Sequence, residues 1–502
     1  MTKMGQSDPT DLLAAIIVGA GFAGLGMAIA LRKQGIRNFL VLEKAQDIGG
    51  VWRDNNYPGA ACDVPSHLYS FSFELHPNWS RTFAPQAEIH EYLRHCGRKY
   101  EILPHIRFSC EVSEARFDEK TAVWTVVLRD GSQLRSRLFI VGTGQLNRPT
   151  YPKVPGIEHF KGRYFHSSNW DHSYSLAGRS IAVIGTGASA IQFVPAIADQ
   201  VGQLKVFQRS APFILPRADY AYSNRLKSLF KSVPWLMRLY RLLIFLQHDI
   251  RKPAFTNRQW LMKYVIEKPF RKLLSAQVTD QALQARMLPD YPAGCKRILL
   301  SSNYLATFSK PHVELVTQGI QTITADGIQT TDGTHHPADA IIYGTGFAAT
   351  EFLAPMRITG VGNLDLNTAW KDGAQAYLGI AVPSFPNFFI LYGPNTNLGH
   401  NSIVYMLESQ IAHVMRCIRA MRERHSDTIE VGTEAHQIFN AGIQTRLAKA
   451  VWSRCQSWYT DSNGRSTTNW PGFATSYRWL TSRSKLDVYQ FSHSPDGTAG
   501  TL

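Results

Sequence analysis

Apolar and polar positions fall into blocks along the first half of the chain, and one arrangement of blocks occurs twice. Residues 14–18 (Ala-Ala-Ile-Ile-Val) form an unbroken apolar run, the length of a strand covered on both faces. The turn Gly19-Ala20-Gly21-Phe22-Ala23-Gly24 follows, then a predicted helix over 25–34 and a second apolar strand over 39–42. The same order returns at 180–184, with the turn Gly185-Thr186-Gly187-Ala188-Ser189-Ala190, a helix over 191–198 and a strand at 205–207. Each is a βαβ unit with a glycine-rich first turn. Together they predict an α/β fold with two Rossmann-like dinucleotide-binding domains.

From 218 to 290 the glycine-punctuated pattern stops, and helical periodicity takes over at 226–232, 235–249 and 260–274. This predicts a helical insertion in the second nucleotide domain. The α/β pattern resumes at 313–317 and 340–343, and 388–402 reads as a return to the first domain. The expected partition is 1–150 and 351–502 for the first domain, 151–217 and 291–350 for the second, and 218–290 for the insertion.

Charge alters this picture little. The net charge is +15, and much of it lies between Arg217 and Arg286, with about fourteen basic residues against about four acidic. A solvated helical face together with phosphate-holding cations accounts for that excess and is preferred to a nucleic acid partner. Arginines interleaved with Trp235, Leu236, Tyr240 and Leu242 also fit a membrane surface. A helix buried in its own subdomain is the reading preferred to it. The six cysteines, Cys62, Cys96, Cys110, Cys295, Cys417 and Cys455, show no CxxC pair and no regular spacing. No metal cluster, redox dithiol or disulfide framework is therefore expected, and a reducing cytoplasm is the expected compartment. The polar start, 1–13, leads into a strand rather than a signal sequence, and no run reaches the roughly 18 apolar residues of a spanning helix.

In the first glycine loop, Gly19 permits the tight turn, Gly21 admits a pyrophosphate and Gly24 allows close helix–strand packing. Glu43, ending the second strand, is placed to accept ribose hydroxyls, which favours an unphosphorylated ribose such as that of FAD. The second loop ends its second strand with Gln208-Arg209-Ser210 instead. A guanidinium and a hydroxyl suit a 2′-phosphate that a carboxylate would repel, so NADPH is expected over NADH. The small-residue turns at 141–144 and 343–346 are expected where the chain crosses between the two domains.

Two further stretches carry a family pattern. Residues 49–63 fit GGxWxxxx(Y/F)PGxxxD, and Phe160, Gly162, His166, Trp170 and Asp171 fit FxGxxxHxxxW(P/D). With both nucleotide loops in order, the chain resembles the type I Baeyer–Villiger monooxygenases over nearly its whole length. The resemblance implies FAD and NADPH as cofactors, with O₂ and a ketone as substrates. A flavin C4a-peroxide attacks the ketone, and the tetrahedral (Criegee) adduct rearranges to an ester or lactone. It implies Arg297 as the catalytic cation, with Asp63 pairing with and orienting it, and Lys296 at the NADPH ribose or its 2′-phosphate. Further cofactor contacts are expected at Phe22, Ala23, Lys44, Gly50, Val51, Trp52 and Tyr69, and at Thr186, Ala188 and Ser189. Asn395 belongs to a late FAD-contacting loop whose backbone amides face the flavin. Trp458 belongs to a mobile loop that folds over NADP⁺ and substrate. His166 is implied as a linker residue bonded to backbone rather than a general base, and Trp170 as packing. NADP⁺ is expected to stay bound and shield the site from water.

An N- or S-oxygenating flavin monooxygenase of the same architecture is the nearest alternative, and Arg297 argues against it. A disulfide reductase would need a redox cysteine pair beside the flavin, which the sequence does not display. A basic flavoprotein bound at a membrane surface is the alternative of another class.

Overall fold

Aliphatic runs sit at sheet centres because only there are both faces of a strand covered. In the computed structural model, which describes residues 12–256, 258–461 and 463–495, β1 (Leu12–Val18) pairs in parallel with β2 (Phe39–Leu42), and helix α1 (Phe22–Lys33) makes the crossover. On its other side β1 pairs in parallel with β3 (Gln133–Val141). Strands Val112–Asp118 and Val123–Leu128 extend this sheet antiparallel. The apolar blocks do not predict them, because their buried residues alternate with more open ones.

The second sheet is wholly parallel. It comprises β4 (Arg163–His166), β5 (Ser180–Ile184), β6 (Gln203–Phe207), β7 (Val313–Val316) and β8 (Ala340–Tyr343), in the order β7-β6-β5-β8-β4. Helix α2 (Ala190–Ile197) links β5 to β6. Between β6 and β7 the chain leaves the sheet for the helical insertion, which includes α3 (Asn224–Ser232), α4 (Pro234–Asp249) and α5 (Lys268–Gln277). The single helix expected over 260–274 is instead a π-helical turn, Lys263–Glu267, running into α5. Pro269 has no N–H to bond back and crowds the preceding turn, and the wider π turn accommodates it.

After β8 the chain returns to the first sheet, where β9 (Phe388–Ile390) pairs in parallel with β3. Helix α6 (Ile403–Glu423) lies across α1 at Gly26, where a Cβ would come within 2.8 Å of the Ile411 side chain. One hydrophobic core joins the second sheet (Ile181, Val183, Val206) to the insertion (Phe245, Phe270, Leu274) and to the C-terminal Trp452, Tyr459 and Trp470. The insertion and the C-terminal segment are thus anchored in the second sheet's core.

The cysteine reading needs correction. Cys295 and Cys455 form a disulfide across a sequence separation of 160 residues. No local spacing announces a pair so far apart, and the cysteine argument for a reducing compartment falls with it. Among the described residues no group of acidic, histidine and cysteine side chains could hold a metal ion, and no helix is long and apolar enough to cross a membrane. Residues 1–11, which make up most of the polar start, lie outside the described residues.

Candidate active site

The first glycine loop is built around a contact that only hydrogen allows. A Cβ on Gly24 would lie 1.8 Å from the Gly19 carbonyl oxygen, so α1 can start this close to β1 only with glycine there. No side chain caps α1. The N–H groups of Phe22, Ala23 and Gly24 have no acceptor within the helix, because its first turn leaves them over. They form the donor set that a pyrophosphate needs. Glu43 is 4% exposed and accepts from Ala20 N (2.9 Å) and Ala45 N (3.0 Å), with Arg53 Nη1 at 3.1 Å. Its carboxylate is therefore fixed beside the loop. Lys44 points to solvent, and Gly50 and Val51 begin a short helical turn against the loop. Trp52 Nε1 donates to Tyr69 OH at 3.2 Å, and Phe22 stacks edge-on against Tyr69.

The second loop repeats the device with different charge. At Gly185 (φ +109°) a Cβ would lie 2.5 Å from the Gly344 carbonyl, inside the small-residue turn that follows β8. Thr186 Oγ1 donates to Ser210 O (3.2 Å), and Ser189 leaves the start of α2 without a side-chain cap. Gly187 and Ala188 complete the open turn between them. In place of Glu43 stands Gln208, whose amide donates to Arg286 O at 2.8 Å. Arg209 is exposed, and Lys296 Nζ reaches Ser210 Oγ at 2.9 Å. Neither cation is in an ion pair with a carboxylate among the described residues. Burial, and then the Arg209 charge, hold Lys296 below the ordinary lysine range. Two cations and a hydroxyl gathered here, with Asp290 acting on Lys296 only through its field and not as an ion-pair partner, suit a doubly charged anion.

Between the two loops, one segment touches both domains. Lys296 reaches the second loop, and Arg297, its neighbour, turns to the first domain. The Arg297 Nε and Nη2 groups both donate to Asp63 Oδ2, at 3.0 and 2.5 Å. Nη1 and Asp63 Oδ1 stand outside this fork. The Arg297 side chain is 31% exposed and its pKa is raised, chiefly by the Asp63 charge, while burial pulls the other way. The guanidinium is thus partly open to solvent and held by the Asp63 carboxylate. Tyr459 and Tyr392 also face this charge and lie in its electrostatic field. Burial pushes the Tyr459 hydroxyl up to about 12, so it stays neutral.

The fingerprint residues lie on and around β4, the edge strand of the second sheet. His166 ends β4 and is fully buried, and its Nδ1 accepts from Ser168 N at 3.1 Å. Burial lowers its pKa to about 4, so it is a neutral ring with a backbone partner. A Cβ on Gly162 would collide with the buried Phe160 ring and the Asp339 carbonyl. Trp170 packs between Phe165 and Phe193, and Asp171 accepts from Ser173 N at 3.0 Å. Asn395 does not match the expected picture fully. Its N–H donates to Thr467 O (2.8 Å) and its Nδ2 to Ser466 O (3.0 Å), and Asn397 N donates to Thr468 O. Those two amides are committed to the chain because the loop pairs with the C-terminal segment, a long-range contact no local pattern reports. Trp458 is half-buried against the ring of Tyr459 at 4.3 Å, and Tyr459 is the residue that faces Arg297.

Three features escape the sequence motifs. Gln192 on α2 accepts from Tyr57 OH (2.9 Å) and Ala61 N (3.3 Å) and donates to Ala61 O (2.9 Å), latching the two domains together. Tyr392, which lies in the field of Arg297, donates to Asn397 Oδ1 at 2.7 Å. The Cys295–Cys455 disulfide ties the residue before Lys296 to the segment before Trp458. The described cysteines thus do include a pair near the cluster, although Cys295 is wholly buried.

Comparison with known proteins agrees with this geometry. The family model described as pyridine nucleotide-disulphide oxidoreductase matches residues 16–234. A protein of Pseudomonas aeruginosa named Baeyer-Villiger monooxygenase is 42% identical over 482 residues, covering 95% of this chain and 91% of its own. An oxidized steroid monooxygenase solved bound to NADP superposes with a TM-score of 0.87 at 29% identity, covering 96% of this chain and 100% of that one. The OTEMO complex with FAD and NADP superposes at 0.85 with 26% identity, covering 96% and 99%. Two nucleotide folds, a charge pair held between them and a relative this similar along almost all its length place the chain in the Baeyer–Villiger monooxygenase family.

Proposed function

We propose that this protein is an NADPH- and O₂-dependent oxygenase that inserts one oxygen atom beside the carbonyl of a ketone, giving an ester or lactone, with FAD as its bound cofactor. The flavin, when bound, supplies the redox chemistry between NADPH and O₂. The chain supplies the rest. The free amides at the start of α1 hold the FAD pyrophosphate, and Glu43 receives ribose hydroxyls. Arg209, Ser210 and Lys296 receive the 2′-phosphate of NADPH. Arg297 presents a fixed positive charge to the oxyanion that forms when the ketone carbonyl is attacked. Charge already in place before the reaction lowers such a barrier strongly, because nothing has to reorganise as the oxyanion develops. Asp63 keeps the guanidinium aligned and ionised. Trp458, packed against Tyr459, helps close the site against water, which would otherwise divert the reaction to H₂O₂.

One observation carries this reading. Adjacent residues 296 and 297 reach the second nucleotide loop and the Asp63 carboxylate respectively, which supports a proposed phosphate site and a proposed oxyanion site carried on one short segment. The test is a ketone panel turned over with NADPH under isotopically labelled O₂. The expected product is an ester or lactone carrying one labelled oxygen per NADPH consumed. Oxidised amines or sulfides with no ester from any ketone would overturn it.

A further inference from the structure

The outward face of α4 is apolar where a surface helix is normally polar. Its inner face, Met237, Arg241, Ile244, Phe245 and Asp249, is buried against the body. Arg241 donates to His67 O (2.6 Å) and Leu68 O (3.0 Å), and Asp249 accepts from Ala474 N (2.8 Å), so the helix cannot roll. The opposite stripe repeats at helical spacing: Trp235, Leu239, Leu242, Leu243, Leu246 and, just past the end, Ile250. These six side chains are 41% to 75% exposed. The expectation that this helix is buried in its own subdomain holds for the inner face and not for this one, because period alone does not say which of two apolar stripes meets the core. In the same insertion Trp260, Tyr264 and Val265 also stand exposed.

Charge identifies the partner. Arg225, Lys231, Arg238 and Arg251 are exposed around the stripe. Between residues 220 and 266 the one acidic residue is Asp249, which is buried. An apolar stripe headed by tryptophan, rimmed by cations and without an exposed carboxylate, is the surface that lies in the headgroup region of an anionic bilayer. At sixteen residues the helix is about 24 Å long, and it lies fixed along the outside of the molecule. A second copy fits poorly, since a two-fold contact would set these cations against their own duplicates. Nucleic acid has no use for a row of leucines. We propose that α4 and its flanking cations form a docking face for the surface of membranes that contain anionic lipid, with the enzyme lying on the bilayer and not spanning it.

The test is co-sedimentation of the FAD-loaded full-length protein with vesicles of phosphatidylcholine alone or mixed with phosphatidylglycerol. Binding is expected to the mixed vesicles only and to weaken at high salt. Replacing Lys231→Gln or Arg238→Gln should weaken partitioning about fivefold per charge, and the pair Leu243→Ser/Leu246→Ser at least about tenfold. Turnover of a water-soluble ketone without vesicles should match the parent in all variants, which shows they are folded. Three results would each overturn the proposal: no sedimentation with anionic vesicles at low salt, undiminished sedimentation of the leucine variant, or a dimer in light scattering that the leucine variant dissolves.

Discussion

The Asp63 charge, set against the desolvation that burial imposes, holds the Arg297 guanidinium above its ordinary pKa. A cation raised in this way contributes stability below its unfolded pKa and loses it only as pH climbs through the folded value. Both values lie beyond any working range, so no limb of the pH–activity profile should belong to Arg297. Asp63→Asn keeps the shape of the pair and removes its negative charge. Flavin content and flavin reduction by NADPH should persist, while oxygenation should fall about 10²-fold; equal losses in both half-reactions would remove Asp63 from the oxygenation site. Lys296 moves the other way, its pKa lowered by burial and then by Arg209. Here the unfolded chain binds the proton more tightly, so the free protein gains stability as pH rises through the folded value. NADPH binding, which on the proposed assignment uses that proton, should weaken on the alkaline side before an ordinary lysine titrates. Arg209→Ala should raise the NADPH KM by about tenfold or more, leave the NADH KM nearly unchanged and shift that alkaline limb upward. Equal effects on the two coenzymes would contradict the 2′-phosphate assignment.

Loops and helices hold these residues through contacts the motifs do not contain. Gln192 joins α2 to the Tyr57–Ala61 turn by three hydrogen bonds, each worth roughly 1 kcal/mol net. Gln192→Ala should therefore lower the melting temperature by a few degrees and raise NADPH oxidation that yields H₂O₂ instead of ester; unchanged coupling would make the latch merely structural. The Cys295–Cys455 bond closes a 160-residue span, and bonds of this kind contribute about 2–5 kcal/mol. A thiol reductant should lower the melting temperature of the parent protein and leave Cys455→Ser unaffected. The strands β2, β5 and β8 coincide with their apolar runs residue for residue, because a strand covered on both faces needs an uninterrupted run. Gln192, Tyr392 and the cysteine pair were not legible in the sequence. Each acts on a partner far away in the chain, and nothing in the local pattern distinguishes it from packing.

The molecule as a whole is two nucleotide folds joined by the Arg297–Asp63 pair and the Gln192 latch, with the insertion and the C-terminal segment sharing the core of the second. The fold class and the nucleotide loops could be read from the sequence because glycine spacing and apolar periodicity are local signals. Which face of α4 meets solvent could not, since that depends on where residues 67–70 and 474–475 pass. The exposed stripe is the consequence, and it sets where the molecule would meet a membrane. Arg297, held by Asp63 and carried on the segment proposed to hold the coenzyme phosphate as well, is the residue on which the proposed chemistry depends. The most direct measurement is a pair of single-turnover experiments on Arg297→Ala, following flavin reduction by NADPH and ester formation from a ketone separately. Flavin reduction near the parent rate with no ester detected is the predicted result, and ester at the parent rate would contradict the account.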